Sequence, residues 1–446
     1  MKRLLALLLA GILAVSALSA CGSSTTEKSD ETEAPTKAAE SATEKTATEA
    51  PTEAPTEIRN NNGDPFYGED NITLTVWAGE ELQELTKKMC SDFIAKYPDK
   101  KITINVAIHE EGDIDYEFTT NPSSCADVFS VGCDQLNLIK EKVAPVVSDY
   151  WEDVTVYHSE QSVATATIDG KLMAYPETEP YSYYLVYDKN CVSDTDARTL
   201  EGVLEACRRS GKKFVIDANN GYYGCMFPFT GGLSVEGVDD EGLQLFNQYD
   251  KDKVLDSMKA FSELFNEYSD VIQNNNNSLI STGMIIEPTT VAAGIDGYWM
   301  VQPMQEQLGN RYGAAKLPTI NINGNDTQMI SMAGSKMLAV NAKSKFPESA
   351  QVLADYLAGY DCQNQRLAQF NWIPSIKELQ SSDVLTRDAG LSALLEQSKY
   401  CVLQSNVSLS FWEPMGNLSA TVARGDSDRA TLKSQFDRMI NDIKSE

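Results

Sequence analysis

Histidine is nearly absent from this chain of 446 residues: only His109 and His158 occur. Neither stands in an H-E-x-x-H pattern, which argues against a histidine-based metal centre. No G-x-S-x-G elbow, G-x-x-x-x-G-K-[ST] loop or G-x-G-x-x-G turn occurs, so the common nucleophile, phosphate and dinucleotide signatures are missing. No cofactor is called for. Two placed carboxylates would suffice for a glycosidase, yet the eight strand–helix units of a barrel cannot be counted. Basic residues are also scarce, 37 against 65 acidic ones, for a formal charge of −28. That balance speaks against nucleic acid and anionic lipid as partners. The acids themselves do not reveal a ligand, since most must be solvated surface.

Cysteine is present nine times but never as C-x-x-C, so metal and redox patterns are missing. Cys125 and Cys133 flank Ala126–Val131, which reads as a buried strand. Its ends would lie on the order of 25 Å apart, beyond disulfide reach. Reduced, core-filling cysteines are the expectation. The even count of eight outside Cys21 leaves room for one or two bridges.

One long apolar run is present, at the start. Lys2 and Arg3 precede Leu4–Leu18, and Leu18-Ser19-Ala20-Cys21-Gly22 closes the run. This is the layout of an export signal, and Leu-Ser-Ala-Cys resembles a bacterial lipobox. The expectation is a signal over 1–20 with Cys21 lipidated. A plain secretory signal and a short anchor are the rivals, although the run is shorter than the roughly 20 residues of a membrane span. From Gly22 to Glu57 there is no Val, Ile, Leu, Met, Phe, Trp, Tyr or Cys, and Thr-Glu-Ala-Pro recurs at 48–51 and 52–55. Such a segment cannot bury apolar surface and is expected to form an extended stalk over 21–63.

The remaining body is too long for one small core and calls for two lobes. Ile72–Val76 alternates as a strand, and Leu82, Leu85, Met89 and Phe93 fall on one helical face before Tyr97-Pro98. Ile102–Ile108 alternates again, and Asp127–Gly132 reads as a third strand with a helix from Asp134 towards Lys142. This rhythm predicts an α/β sheet with crossovers. Further strands are expected at Lys171–Tyr175, Tyr183–Tyr187, Gly313–Leu317 and Met337–Asn341. Helices are expected at Thr199–Arg209 and Lys253–Tyr268, and a mostly helical end from Pro347.

Aromatic residues gather at turns: Trp77, Tyr181, Tyr183, Tyr184, Tyr222, Tyr223, Tyr298, Trp299, Phe411 and Trp412. Flat rings match the apolar faces of pyranose sugars, while nearby amides and carboxylates bond hydroxyls. Taken singly, each ring is better explained by core or interlobe packing. Together, at loops and element starts, they outline a site.

Several segments, in order, carry a resemblance to family 1 extracellular solute-binding proteins, the lipoprotein receptors of carbohydrate ABC importers. They are Leu74–Trp77, Asp127–Gln135, Asp169-Gly170-Lys171-Leu172-Met173-Ala174-Tyr175-Pro176, Tyr187-Asp188-Lys189, Asp296-Gly297-Tyr298-Trp299, Tyr312–Thr319 and Ser410-Phe411-Trp412. The resemblance implies a two-lobed periplasmic-binding-protein-like fold (type II), with mixed sheets flanked by helices and an interlobe ligand cleft. It implies that Asp134 accepts hydroxyl hydrogen bonds and that Trp299 and Trp412 stack on ligand. Glu179 or Tyr181 would make a hinge-side contact, and Tyr222 or Tyr223 polar contacts on the second lobe. Trp77, Glu80, Glu81 and Gln135 complete the candidate set. Val131 stands where a familiar member has a tryptophan and Gln135 replaces an arginine, so the sugar need not be maltose.

The resulting expectation is a lipid-anchored, monomeric receptor on the outer face of a bacterial, Gram-positive membrane. It would capture a sugar or oligosaccharide, malto-oligosaccharide-like ones included, and deliver it to ABC permease subunits without catalysis. Lobe one is expected over 64–180 with 316–372, and lobe two over 181–315 with 373–446, with crossings near 176–186, 310–320 and 345–375. A polyamine or other non-sugar receptor of the same fold, and a surface glycosidase, are the alternatives.

Overall fold

A computed structural model describes residues 62–110, 114–121, 124–239, 243–274, 278–425 and 428–444. The leader, Cys21 and the stalk as far as residue 61 lie outside the described residues. The body is built on two mixed sheets flanked by helices, each with its own buried core.

The first sheet runs in the order Ile102–Ile108, Ile72–Ala78, Val128–Gly132, Lys336–Asn341, Val143–Ala144, with Tyr175–Pro176 pairing beside Lys336–Asn341. Ile72, Leu74, Val76 and Ala78 are buried while Thr73 is exposed, as alternation requires of a half-covered strand. Val128–Val131 is buried throughout, the pattern of a strand covered on both faces. Helix Gln83–Lys96 lays Leu85, Met89, Cys90 and Phe93 on this sheet.

The second sheet runs Ile272–Asn274, Lys213–Ile216, Val291–Gly297, Tyr183–Asp188, Tyr312–Ala315. Thr199 caps helix Leu200–Ser210 by accepting from Gly202 N–H at 3.1 Å, and Gly211, at φ 67°, ends it in the left-handed region. Asp250 caps helix Lys251–Glu267, whose Val254, Met258, Phe261 and Phe265 fill the second core. No helix among the described residues is long and apolar enough to cross a membrane.

The chain crosses between the cores beside three mutually bonded segments. Tyr181 N–H reaches Gly334 O at 2.9 Å, and Glu179 N–H reaches Ile373 O at 2.9 Å. The middle crossing falls later than the expected 310–320. Leu317, Ile320, Met329 and Met332 belong to the second core, and the chain rejoins the first sheet only at Lys336. A hairpin, Thr319–Ile322 with Asn325–Gln328, fills the difference, so residues 316–332 pack with lobe two.

Two more expectations are corrected. Lys171–Tyr175 is two short pieces: Lys171–Leu172 pairs with Thr167–Ile168, whereas Tyr175–Pro176 joins the first sheet. The cause is the Asp169-Gly170 turn, with φ of 52° and 72°, which closes a tight hairpin. The end of the chain is not wholly helical either, because Cys401–Leu403 runs parallel to Ser331–Ala333.

Candidate functional site

Each sheet ends its middle strand in a glycine followed, two residues on, by a candidate residue. In the first sheet Val128–Gly132 gives way to helix Cys133–Leu138, and Asp134 sits in its first turn. The Asp134 carboxylate folds back so far that its Oδ1 lies 2.7 Å from where a Cβ on Gly132 would stand. Beside it, Gln135 Oε1 is buried and has no hydrogen-bond partner.

In the second sheet Val291–Gly297 leads into the turn Tyr298–Met300. The Trp299 ring lies over Gly297, with three ring carbons 2.3–2.5 Å from where its Cβ would be. The indole nevertheless remains 49 % exposed, so the glycine supports it while solvent reaches it. Asp296 Oδ1 accepts from Gly297 N–H at 2.7 Å and from Tyr223 Oη at 3.2 Å, fixing the entry to this turn.

Tyr298 connects the turn to the crossing segments, tilting against Tyr181 with ring centroids 4.2 Å apart. The Tyr222 phenol is hydrogen-bonded with Ser182 on the first crossing, and Tyr298 and Cys133 are near enough to influence it electrostatically. Burial pushes the Tyr222 phenol well above its usual value, as it does Tyr183. Tyr222, Tyr223 and Tyr183 form an edge-packed trio with centroids 5.1–5.3 Å apart. Trp412 opens helix Trp412–Ala423 and is half-buried against Phe411. Its carbonyl stands 2.6 Å from the Cβ position of Gly221, so only glycine lets this helix close on the Tyr222 turn.

Tyr181, Tyr222, Tyr223 and Trp299 are therefore brought together and Trp412 joins them through its backbone, while Asp134 and Gln135 stand on the helix that Cys133 opens. Four candidates stand apart. Trp77 has one face covered by His109, stacked at 4.0 Å and 13°, and its edges meet Phe118 and Phe129. Glu80 and Glu81 are exposed on a turn whose Leu82 packs with Ala78 and Trp372. Glu179 is buried behind Tyr181 instead of facing open space; burial pushes its carboxyl up to about 7 against the donors Ser159 and Gln380.

Several residues near the site were not named from the sequence. Ser182 is hydrogen-bonded with Tyr222, and Gln404 Oε1 lies 2.9 Å from the Cβ position of Gly334. Tyr298 was visible as the neighbour of Trp299, whereas nothing in the sequence around Gln404 marks it. All eight described cysteines are unbridged, and burial pushes the Cys133 and Cys401 thiols up to about 12. Among the described residues no group of three His, Cys, Asp or Glu is placed to hold a metal.

Comparison with known proteins agrees with this architecture. A family model described as bacterial extracellular solute-binding protein matches residues 88–393. A galactooligosaccharide-binding protein of Bacillus subtilis (strain 168) is 24% identical over 380 residues, covering 80% of this chain and 85% of its own length. The ligand-free maltodextrin-binding protein MalE1 of L. casei BL23 superimposes with a TM-score of 0.74 at 21% identity, over 84% of this chain and 99% of that one. The maltose complex of MalE from Listeria monocytogenes gives a TM-score of 0.70 at 20% identity, over 84% and 98%. At these identities the solved structures speak for the fold alone.

Proposed function

Because the chain belongs to the bacterial extracellular solute-binding family, we propose that it captures a neutral sugar or oligosaccharide between its two lobes and hands it to an ABC importer. The carrying observation is the meeting of exposed and half-buried rings with hydrogen-bonding groups at the crossing. Trp299 offers an accessible indole face, and the half-buried Tyr222 and Tyr298 lie beside it, Tyr298 packed on the buried Tyr181. Rings of this kind cover the apolar faces of pyranoses, and carboxylate and amide groups such as Asp134 and Gln135 bond their hydroxyls. The similarity to a galactooligosaccharide-binding protein supports a glycan over a smaller solute.

The work is recognition without turnover. Lobe closure about the three crossing segments would bury the ligand, a hinge motion between rigid halves. Affinity near the micromolar level, about −8 kcal/mol, suits a receptor that must also release. The reading includes a lipid on Cys21, a stalk, a monomeric body and a position on the outer face of the membrane. Cys21→Ala should then free the protein from the membrane fraction; a variant retained there at mature size excludes the anchor.

Thermal melting against malto- and galacto-oligosaccharides, monosaccharides and polyamines tests the ligand class. A rise in midpoint with a neutral oligosaccharide and none with a polyamine is expected. The reverse pattern would reassign the receptor to cations.

A further inference from the structure

Two of the unbridged cysteines, Cys191 and Cys207, are gathered by the topology at one corner of the second lobe. Strand Tyr183–Asp188 runs antiparallel to Val291–Gly297, which runs parallel to Lys213–Ile216. The end of the first of these strands and the start of the third therefore share one pole of the sheet. Cys191 follows Asp188 at that pole, in a turn closed by its N–H on Asp188 O at 2.8 Å. Helix Leu200–Ser210 sets out from the other pole, where Thr199 bridges to Thr319 beyond the strand Tyr312–Ala315. It returns to deliver the chain to Lys213, and Cys207 stands near its end, the Cys207 carbonyl accepting from Lys212 N–H at 3.1 Å.

The two cysteines also share a face of the sheet. Cys207 and Val192 belong to the core that includes Tyr183, Leu185 and Tyr187, and Cys191 packs against the same core. Side-chain bonds pin the turn to the end of the helix. Ser193 Oγ donates to Asp196 Oδ2 at 2.7 Å, and Asp196 Oδ1 accepts from Arg209 Nη2 at 3.0 Å. Ser193 follows shortly after Cys191, and Arg209 shortly after Cys207, so these bonds draw the two stretches together. Cys191 is near enough to influence the Cys207 thiol electrostatically.

Access differs between them. Cys191 is half-buried, whereas Cys207 is closed off inside the core, and burial pushes its thiol up to about 12. Cys191 is thus the sulfur that an outside reagent meets first, with Cys207 waiting behind it. Cys90 and Cys362 are likewise neighbours, yet both are buried and neither offers such an entry.

We propose that Cys191 and Cys207 form a disulfide site, closed by exchange with a small-molecule disulfide outside the cell. A chain of an extracellular family meets surroundings in which such bonds persist. The Cys191 thiolate attacks the reagent, giving a mixed disulfide and expelling one thiolate. Cys207 then loses its proton to solvent and attacks Cys191 Sγ, expelling the second. Two protein thiols are oxidised, and one disulfide is reduced to two thiols. The bond fastens helix Leu200–Ser210 to the end of strand Tyr183–Asp188, at the pole away from Gly297 and the Trp299 turn. It stabilises the second lobe by constraining the unfolded chain, whichever ligand the receptor takes.

The test is to incubate the full chain with oxidised glutathione, unfold it, alkylate it and map its peptides by mass without reductant. A peptide pair joining Cys191 to Cys207 is expected, with Cys90 and Cys362 alkylated. The oxidised protein should melt about 5–10 °C above the same sample treated with dithiothreitol, as for a short closed loop. Cys191→Ser should lose both the linked peptides and the difference in melting. If that variant fails to fold, the wild-type map decides alone. Glutathione retained on Cys191 with Cys207 alkylated, every thiol alkylated, or a bridge at another pair in place of this one would overturn the proposal.

Discussion

The middle strands of the two sheets, Val128–Gly132 and Val291–Gly297, are built alike and end in opposite chemistry. Each pairs in parallel on one side, with Ile72–Ala78 or Lys213–Ile216. Each pairs antiparallel on the other with a strand that adjoins a crossing, Lys336–Asn341 or Tyr183–Asp188. Each closes on a glycine that carries the residue two positions on, a carboxylate at Asp134 and an indole at Trp299. One backbone device serves both lobes, and the side chain seated on it decides what that lobe contributes. In the proposed reading the first lobe bonds hydroxyls and the second covers a sugar face.

The largest expected effect comes from breaking what holds the first of these strands. Ser130, in its middle, donates to Glu177, and Glu177 is paired with Arg366, both nearly buried. Arg366→Ala leaves an unpaired buried carboxylate and should destabilise by about 3–5 kcal/mol in denaturant melts. In the second strand Asp296 is held by Tyr223 and a backbone N–H. Next is the indole seat. Trp299→Ala should weaken oligosaccharide binding by about 1–3 kcal/mol while the fold survives, as for other aromatic anchors. Gly297→Ala should reproduce that loss in calorimetry, because a Cβ there overlaps the ring. Retained affinity in either variant would mean that Trp299 is not a platform.

Asp134→Asn should have a smaller effect, about 1–2 kcal/mol of affinity, since it exchanges a charge-assisted acceptor for a mixed amide. Smallest is Gly132→Ala, where the added Cβ meets only the movable end of Asp134. A loss of about 0.5–1 kcal/mol in affinity with little change in melting would show the carboxylate shifted, as for a mild local substitution. A loss as large as that of Gly297→Ala would mean the first seat is as rigid as the second.

Much of this comparison was legible in the sequence. The first middle strand, ending in Gly132 before Asp134, and the alternating strands at 72–76 and 102–108 followed from local pattern, whereas the second, Val291–Gly297, was not read as a strand. What local pattern could not reveal was distant pairing. The strand Cys401–Leu403 exists because Ser331–Ala333 lies beside it, and no stretch of three residues announces a partner seventy positions away. Trp77 looked like a ligand platform because nothing nearby showed that His109, bonded through its N–H to Ala78 O at 3.1 Å, would cover its face. Glu177 and Glu179 are alike in sequence context. Only the fold gives one an arginine and the other two neutral donors.

Calorimetric titration of one neutral oligosaccharide into wild type, Trp299→Ala, Asp134→Asn and the double variant, at low and high ionic strength, tests the central claim most directly. The account predicts that both single variants weaken the same ligand, that the double variant is weaker still, and that salt changes little because the ligand carries no charge. Wild-type affinity that falls steeply with salt, or one strand end whose variant binds as tightly as wild type, would contradict it.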